Sequence, residues 1–379
     1  MTSFWVRQTP NTTLNTNQTI YNLRFDMMGS FARIITIFTL LTILNDCQAS
    51  SKTTSFVVSS KSGINHGKME MPRRRQILTI ESDDSIATTP FLHLITRGGS
   101  TIKGEGTALR LVPPGTVFNN LPLIQSTQIL LGMNILGFAI SVVTGSHLHL
   151  DLIGTGAFAV AALPSLTGNH LMRTNISGIA VAVWGTKLAS FLFFRALKVK
   201  HDTRLDDTLS TIGGTTVFWA ISFLWGVICS LPHTLGTTSS DPGNKYTTIV
   251  GTVMFIAGLI IETAADYQKW AFKSSNTPAQ FCNVGLWSVS QHPNWFGNLV
   301  LWSGIVVMNV PALGWARGCA SLASPLFMWS LFYGQASGAI TPAVELAKAK
   351  YGSDPTFLKY VKNIPLLVPR LFSWGKNNS

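Results

Sequence analysis

From residue 126 onward, apolar runs alternate with short polar interruptions, at about 126–143, 152–166, 178–194, 212–231, 247–265, 296–310 and 313–333. Each is close to the roughly 20 residues that carry a helix across a bilayer, although several are short enough for partial crossing. The pattern predicts an all-α, polytopic helical membrane protein with about six to seven transmembrane helices.

The first 125 residues read differently. They are rich in Ser, Thr and Asn, hold 12 of the 28 Lys and Arg residues, and include Arg73-Arg74-Arg75 without a sustained hydrophobic period. Arg33 precedes an apolar run from Ile34 to Leu44, with Ala49, Ser50 and Ser51 after it. At about 11 residues this run is too short to span and matches the apolar core of a secretory signal, with a short interfacial helix as the alternative. Residues 50–120 are expected to be largely disordered or processed. The chain therefore divides into a signal-like, low-complexity basic region at 1–125, N-terminal spans at 126–194, a second membrane domain at 195–370 and a tail at 371–379.

Composition agrees with the pattern: 12% charged residues in a chain that is 46% hydrophobic excludes an ordinary water-soluble enzyme. The formal charge of +12 sits in loops and tail around apolar blocks, which suits a lipid bilayer surface and not a nucleic acid. Cys47, Cys229, Cys282 and Cys319 are widely spaced, with neither metal-ligand spacing nor a disulfide framework. Between 205 and 268 the only Lys or Arg is Lys245, whereas Arg195, Lys198, Lys200 and Arg204 precede that window and Lys269 and Lys273 follow it. Pairing the fourth and fifth blocks as one hairpin, and the sixth and seventh as another, puts these groups and the basic C-terminal residues on one side. That side is expected to be cytoplasmic, or stromal in a plastid. The endoplasmic reticulum and a plastid are thus the two membranes in view. The Asn175-Ile176-Ser177 sequon then lies on the opposite, lumenal side, either glycosylated or too near the membrane for modification.

Polar residues beside apolar helices are costly, which makes them the places to look for chemistry. The fifth block ends in a stripe, Glu262, Asp266, Lys269 and Lys273, whose spacings of four, three and four put all of them on one helical face. This face is either a cofactor wall or a solvated helix end with local ion pairs. Downstream, Trp287, Ser290, Gln291, His292, Pro293, Asn294 and Trp295 precede the sixth block. Pro293 holds its predecessor extended and suits a first helical turn, so the N–H groups of a helix start would face an anion there. The other reading is an interfacial tryptophan belt. Between 126 and 194 the polar candidates are His147, His149, Asp151, His170 and Lys187, with no Tyr and no Glu. His147, His149 and Asp151 form either a proton relay or a plain polar turn.

The segment from Glu262 to Asn298, with Ala265-Asp266-Tyr267-Gln268-Lys269, Gly285-Leu286-Trp287, Ser290, His292-Pro293-Asn294 and Gly297, resembles the C-terminal signature of the steroid 5-alpha-reductase family, in its DUF1295 branch. The likeness continues through Ser337-Gly338, Glu345, Lys350-Tyr351-Gly352, Asp354, Tyr360 and the Pro365 to Pro369 stretch. It implies a helical membrane fold with an NADPH pocket facing the cytoplasm. It further implies cofactor contacts at Glu262, Asp266, Lys273, Trp287, His292, Asn294, Trp295, Asn298 and Glu345. Two positions depart from the family pattern, Gln291 for an arginine and Asn298 for an acid.

By resemblance the reaction is hydride transfer to a carbon–carbon double bond conjugated to a carbonyl, in a steroid-like or isoprenoid-like lipid-soluble substrate. Isoprenylcysteine carboxyl methyltransferases are similar in the same region and imply S-adenosylmethionine as the alternative cofactor. A non-catalytic membrane scaffold is the third reading.

Overall fold

The computed structural model describes residues 116–168, 171–199, 209–275, 280–340 and 343–370. The signal-like run, the low-complexity basic region and the extreme C-terminus lie outside the described residues. The described chain is helical: α1 (Leu121–Thr144), α2 (Leu150–Ala162), α3 (Pro164–Gly168), α4 (Met172–Val199), α5 (Ile212–Thr238), α6 (Lys245–Ser275), α7 (Pro293–Asn309), α8 (Gly314–Ser321), α9 (Ala323–Ala336), α10 (Ala343–Tyr351) and α11 (Pro355–Asn363), with 3-10 turns at Gly285–Ser288 and Val310–Ala312. Five helices are long and apolar enough to cross a membrane: α1, α4, α5, α6 and α7 with its following turn. The protein is a multi-pass integral membrane protein.

The predicted blocks find their places, with two corrections. The second block is a shorter apolar stretch, Leu150–Leu166. The seventh is broken at Leu322 into α8 and α9. α8 also carries a buried charge, Arg317. Its guanidinium donates to Thr238 Oγ1 at 2.7 Å and Asn120 Oδ1 at 3.2 Å, and lies 3.8 Å above the Phe118 ring.

Local chemistry sets the helix ends. α1 stops at Gly145, whose φ of 63° is the left-handed conformation that glycine adopts freely, and whose N–H bonds to Ser141 O. α5 starts at Thr211, which accepts from Gly214 N, and runs through Pro232. Proline cannot donate to the helix ladder. Next to it, the Ser324 hydroxyl of α9 donates to Cys229 O at 2.9 Å, an added partner for the backbone at this point.

The helix pair that carries the site is α6 with α7, antiparallel and very close. A Cβ on Gly258 would lie 2.5 Å from Gly297 O and from Leu301 N, and Gly251 meets Gly304 in the same way one heptad earlier. Backbone therefore packs on backbone, as small residues allow within lipid. Beside this pair, Phe158, Trp184, Trp225 and Trp302 form an edge-to-face aromatic core joining α2, α4, α5 and α7, with Trp184 and Trp302 rings 5.1 Å apart.

Basic residues gather at one end. Arg195 reaches Asp151 at 3.9 Å, Lys273 bonds the Tyr351 hydroxyl at 3.1 Å, and Gln291 reaches the C-terminal segment. The sequon lies at the other end, within the apolar helix α4, which agrees with the alternative that it sits too near the membrane for modification. Ser177 is completely buried inside the membrane segment of α4, its hydroxyl bonded to His233, and Asn175 Oδ1 is buried as well. In the His147–Asp151 segment, His149 ties the start of α2 to α1 and α5. His149 Nε2 lies 2.9 Å from Gly137 O and 3.2 Å from Ser141 Oγ, and its ring stacks on Trp219.

Candidate functional site

Because α6 and α7 touch through glycine, the longer side chains on either side of that contact must meet. Asn298 Nδ2 donates to Glu262 Oε1 at 2.6 Å, and one turn nearer the basic end Asn294 Nδ2 donates to Asp266 Oδ1 at 3.0 Å. A third helix closes the group: Lys187 of α4 places its ammonium 3.5 Å from Glu262 Oε2 and 3.5 Å from Asp266 Oδ2. Both acids and both asparagines are buried, while Lys187 keeps 22% side-chain exposure.

Four residues expected at a cofactor wall, Glu262, Asp266, Asn294 and Asn298, thus form one buried cluster, with Lys187 as the ion-pair partner of both acids. Sequence spacing suggested the lysines of α6 as local partners. What marked Lys187 was its position as the lone charge in the 178–194 block, since a charge inside a span needs a partner. One acceptor in the cluster remains unfilled: Asn294 Oδ1 is buried and accepts no hydrogen bond from the described residues, while Glu262 Oε2, also buried, has the Lys187 ammonium at 3.5 Å as its partner.

The remaining candidates lie around the cluster. Trp287 is buried and pinned by its Nε1–H to Ala265 O at 2.9 Å, and its ring carries the Lys269 ammonium at 4.1 Å. His292, at the start of α7, stacks on Trp295 with rings 4.1 Å apart, and Trp295 stacks on Phe332 at 5.3 Å. Burial, with the Lys269 charge adding to it, holds the His292 imidazole well below its usual titration range, so the ring is neutral. Lys273 donates to Gln280 O and to the Tyr351 hydroxyl, and its ammonium and that of Lys350 each lie 5.3 Å from the Tyr351 ring centre. Burial pushes the Lys350 ammonium below its ordinary value and the Tyr351 phenol above its own. Glu345 stands apart from the cluster, exposed in the first turn of α10, where a carboxylate suits the positive end of a helix.

Gln291 has a defined task here. Its Nε2 donates to Val361 O at 3.1 Å and Ile364 O at 2.6 Å, and its backbone N–H donates to Pro365 O. Ser290 Oγ donates to Leu367 O, and the Tyr360 hydroxyl to Trp287 O at 2.8 Å. Residue 291 therefore ties α11 and the segment after it over the start of α7. Its amide satisfies carbonyls at a helix end that α11 itself cannot.

No curated protein and no solved structure matches the chain. A family profile described as a protein of unknown function, DUF1295, matches residues 137–364. That stretch runs from α1 through α11, contains every member of the buried cluster and covers more than half of the chain, so the protein belongs to the DUF1295 family.

Proposed function

We propose that this protein is a membrane-embedded, NADPH-dependent reductase of a conjugated carbon–carbon double bond in a lipid-soluble, steroid-like or isoprenoid-like substrate, its basic end facing the cytoplasm or stroma. The observation that carries the reading is the buried charged cluster next to a helix start, in which Asn294 Oδ1 accepts no hydrogen bond from the described residues. Buried polar atoms seldom lack a partner, and an open amide acceptor beside a carboxylate suits a donor-rich group such as a carboxamide or a ribose hydroxyl. Lys273 and Lys350, both beside Tyr351, supply the cationic end that a phosphate needs. The residues present fit the nucleotide in both respects.

When bound, NADPH supplies the hydride. The chain's own part is to orient and shield. Lys187 balances the two acids so that they can stay within the membrane, and Asn294 and Asn298 hold each carboxylate in one orientation. Gln291, Ser290 and Tyr360 keep the C-terminal segment over the start of α7, which limits water at that end.

Purified protein in detergent, titrated with NADPH and separately with S-adenosylmethionine, tests the reading. A ligand at a hundred times its Kd adds about 2.7 kcal/mol to stability, a clear rise in melting temperature. A rise with NADPH alone supports the reductase. A rise with S-adenosylmethionine alone replaces it with a methyltransferase, and no rise with either leaves a membrane scaffold.

A further inference from the structure

The depth of the C-terminal segment in the membrane follows from the helices it is tied to. α7 with its following turn, Pro293–Ala312, has 20 residues, about 30 Å at 1.5 Å per residue, which is the thickness of a bilayer's hydrocarbon core. The start of α7 therefore lies at the hydrocarbon boundary on the basic side. α11 and the residues after it are bonded at that level. Gln291 Nε2 donates to Val361 O and Ile364 O, the Gln291 N–H donates to Pro365 O, and the Tyr360 hydroxyl donates to Trp287 O. Trp287 in turn is bonded to Ala265 O of α6, and α6 runs on from there to Ser275, about 15 Å further toward water. α11 thus sits where the lipid headgroups begin, a layer roughly 5–7 Å deep, and well short of the end of α6.

One face of α11 is closed and the other is open. Phe357 and Tyr360 pack their rings against Phe281, each with centres 5.2 Å apart. At 100° per residue, Leu358, Lys359 and Lys362 fall within an arc of about 100° on the opposite side. All three are exposed, Leu358 by 53%. At headgroup depth such a leucine can reach the acyl chains while the flexible stems of its two lysine neighbours carry their ammonium groups to phosphates. The charge of the segment has the same sense. Between residues 343 and 370, Lys348, Lys350, Lys359, Lys362 and Arg370 stand against the acids Glu345 and Asp354. Asp354 is occupied as the cap of α11, accepting from Thr356 N and Oγ1.

We propose that the outer face of α11, formed by Leu358, Lys359 and Lys362, binds the headgroups of anionic phospholipids. Depth names the occupant, because at this level the medium outside the bundle is the headgroup layer. Charge selects among lipids, because a zwitterionic headgroup offers the lysines no net attraction. The assignment uses no nucleotide and stands or falls separately from the reductase reading.

Native mass spectrometry of the full chain in detergent, titrated with phosphatidylglycerol or with phosphatidylcholine of the same acyl chains, tests the charge. The wild-type protein should prefer phosphatidylglycerol by about tenfold, and Lys359→Gln and Lys362→Gln should each lower that preference by up to about fivefold. A spin label on Leu358→Cys, in a chain whose four native cysteines are replaced by alanine, tests the depth in lipid nanodiscs. In discs containing phosphatidylglycerol the label should be more accessible to oxygen, which concentrates in hydrocarbon, than to a water-soluble nickel complex. Adding Lys359→Gln and Lys362→Gln should move it toward the nickel complex. Equal retention of the two lipids by the wild type, a preference unchanged in the lysine variants, or a label open chiefly to the nickel complex would overturn the proposal. So would equally strong binding of glycerophosphoglycerol, the headgroup without its acyl chains. If the cysteine-free chain does not fold, the lipid preference and its loss in the lysine variants decide the matter.

Discussion

The two buried polar groups of this bundle stand at opposite ends of the same helices, and they are built on different principles. At the basic end, α4, α6 and α7 bring two carboxylates, one ammonium and two side-chain amides together, and the unfilled atom, Asn294 Oδ1, is an acceptor. At the far end, α4, α5 and α7 bring one guanidinium against backbone carbonyls, an amide, a hydroxyl and an imidazole. The first group balances charge with charge. The second disperses one charge over helix-end carbonyls, where the negative end of the α5 dipole assists it.

The largest break in this comparison should come from Lys187→Met. It strands two buried carboxylates, and we expect a loss of about 3–5 kcal/mol in unfolding free energy. Combining it with Glu262→Gln and Asp266→Asn should recover most of that loss, because the stranded charges are gone. Arg173→Met should cost less, about 2 kcal/mol, since the carbonyls it leaves lie at a helix end. Denaturant unfolding in detergent measures all three, and an equal cost at the two ends would remove the distinction.

Nucleotide binding sharpens it next. Asn294→Leu should weaken NADPH about tenfold, the value of one hydrogen bond, whereas Ser177→Ala should leave NADPH binding alone. Equilibrium titration of both variants reads this directly, and equal effects would detach the nucleotide from the basic end. pH provides a further contrast. The His292 pKa is depressed in the folded protein, so its contribution to stability is present above the unfolded histidine value near 6.5 and is lost as pH falls below it. Unfolding free energy, measured by denaturant titration, should drop between pH 7.5 and 5.5 with a slope of up to about 1.4 kcal/mol per pH unit, and His292→Phe should flatten it. The smallest effect belongs to Lys273→Ala. Its amine is shared with Gln280 O and Tyr351, so NADPH affinity should fall only about threefold, with a shallower dependence on salt. Unchanged affinity would return Lys273 to a surface role.

Some of this was legible in the residues alone. Glu262 and Asp266 had to share a face because they are four apart on a helix, and Asn294 and Asn298 likewise. Pro293 marked the start of α7 for the reason that proline tolerates a first turn and not an interior one. Other features were not legible, because they depend on partners distant in sequence. The amide of Gln291 reads as a missing cofactor charge until α11 is seen packed against it. The Asn175 sequon reads as a surface site until Ser177 is found between His233 and Asn309. His233 attracts no attention as a lone histidine in an apolar run, and only the packing of α4 beside α5 gives it Ser177 as a partner.

Sequence by itself determined that the chain lives in a membrane, where most of its spans begin and end, and which side chains share each helical face, because hydropathy and helical periodicity are local properties. Tertiary structure decided which faces meet. The close glycine contact of α6 with α7 chose Asn298 for Glu262 and Asn294 for Asp266, and the packing of α4 beside them chose Lys187 over the nearer lysines of α6. In a low-dielectric interior a charge takes whichever partner the backbones bring within a few ångströms, and sequence distance has no part in that selection.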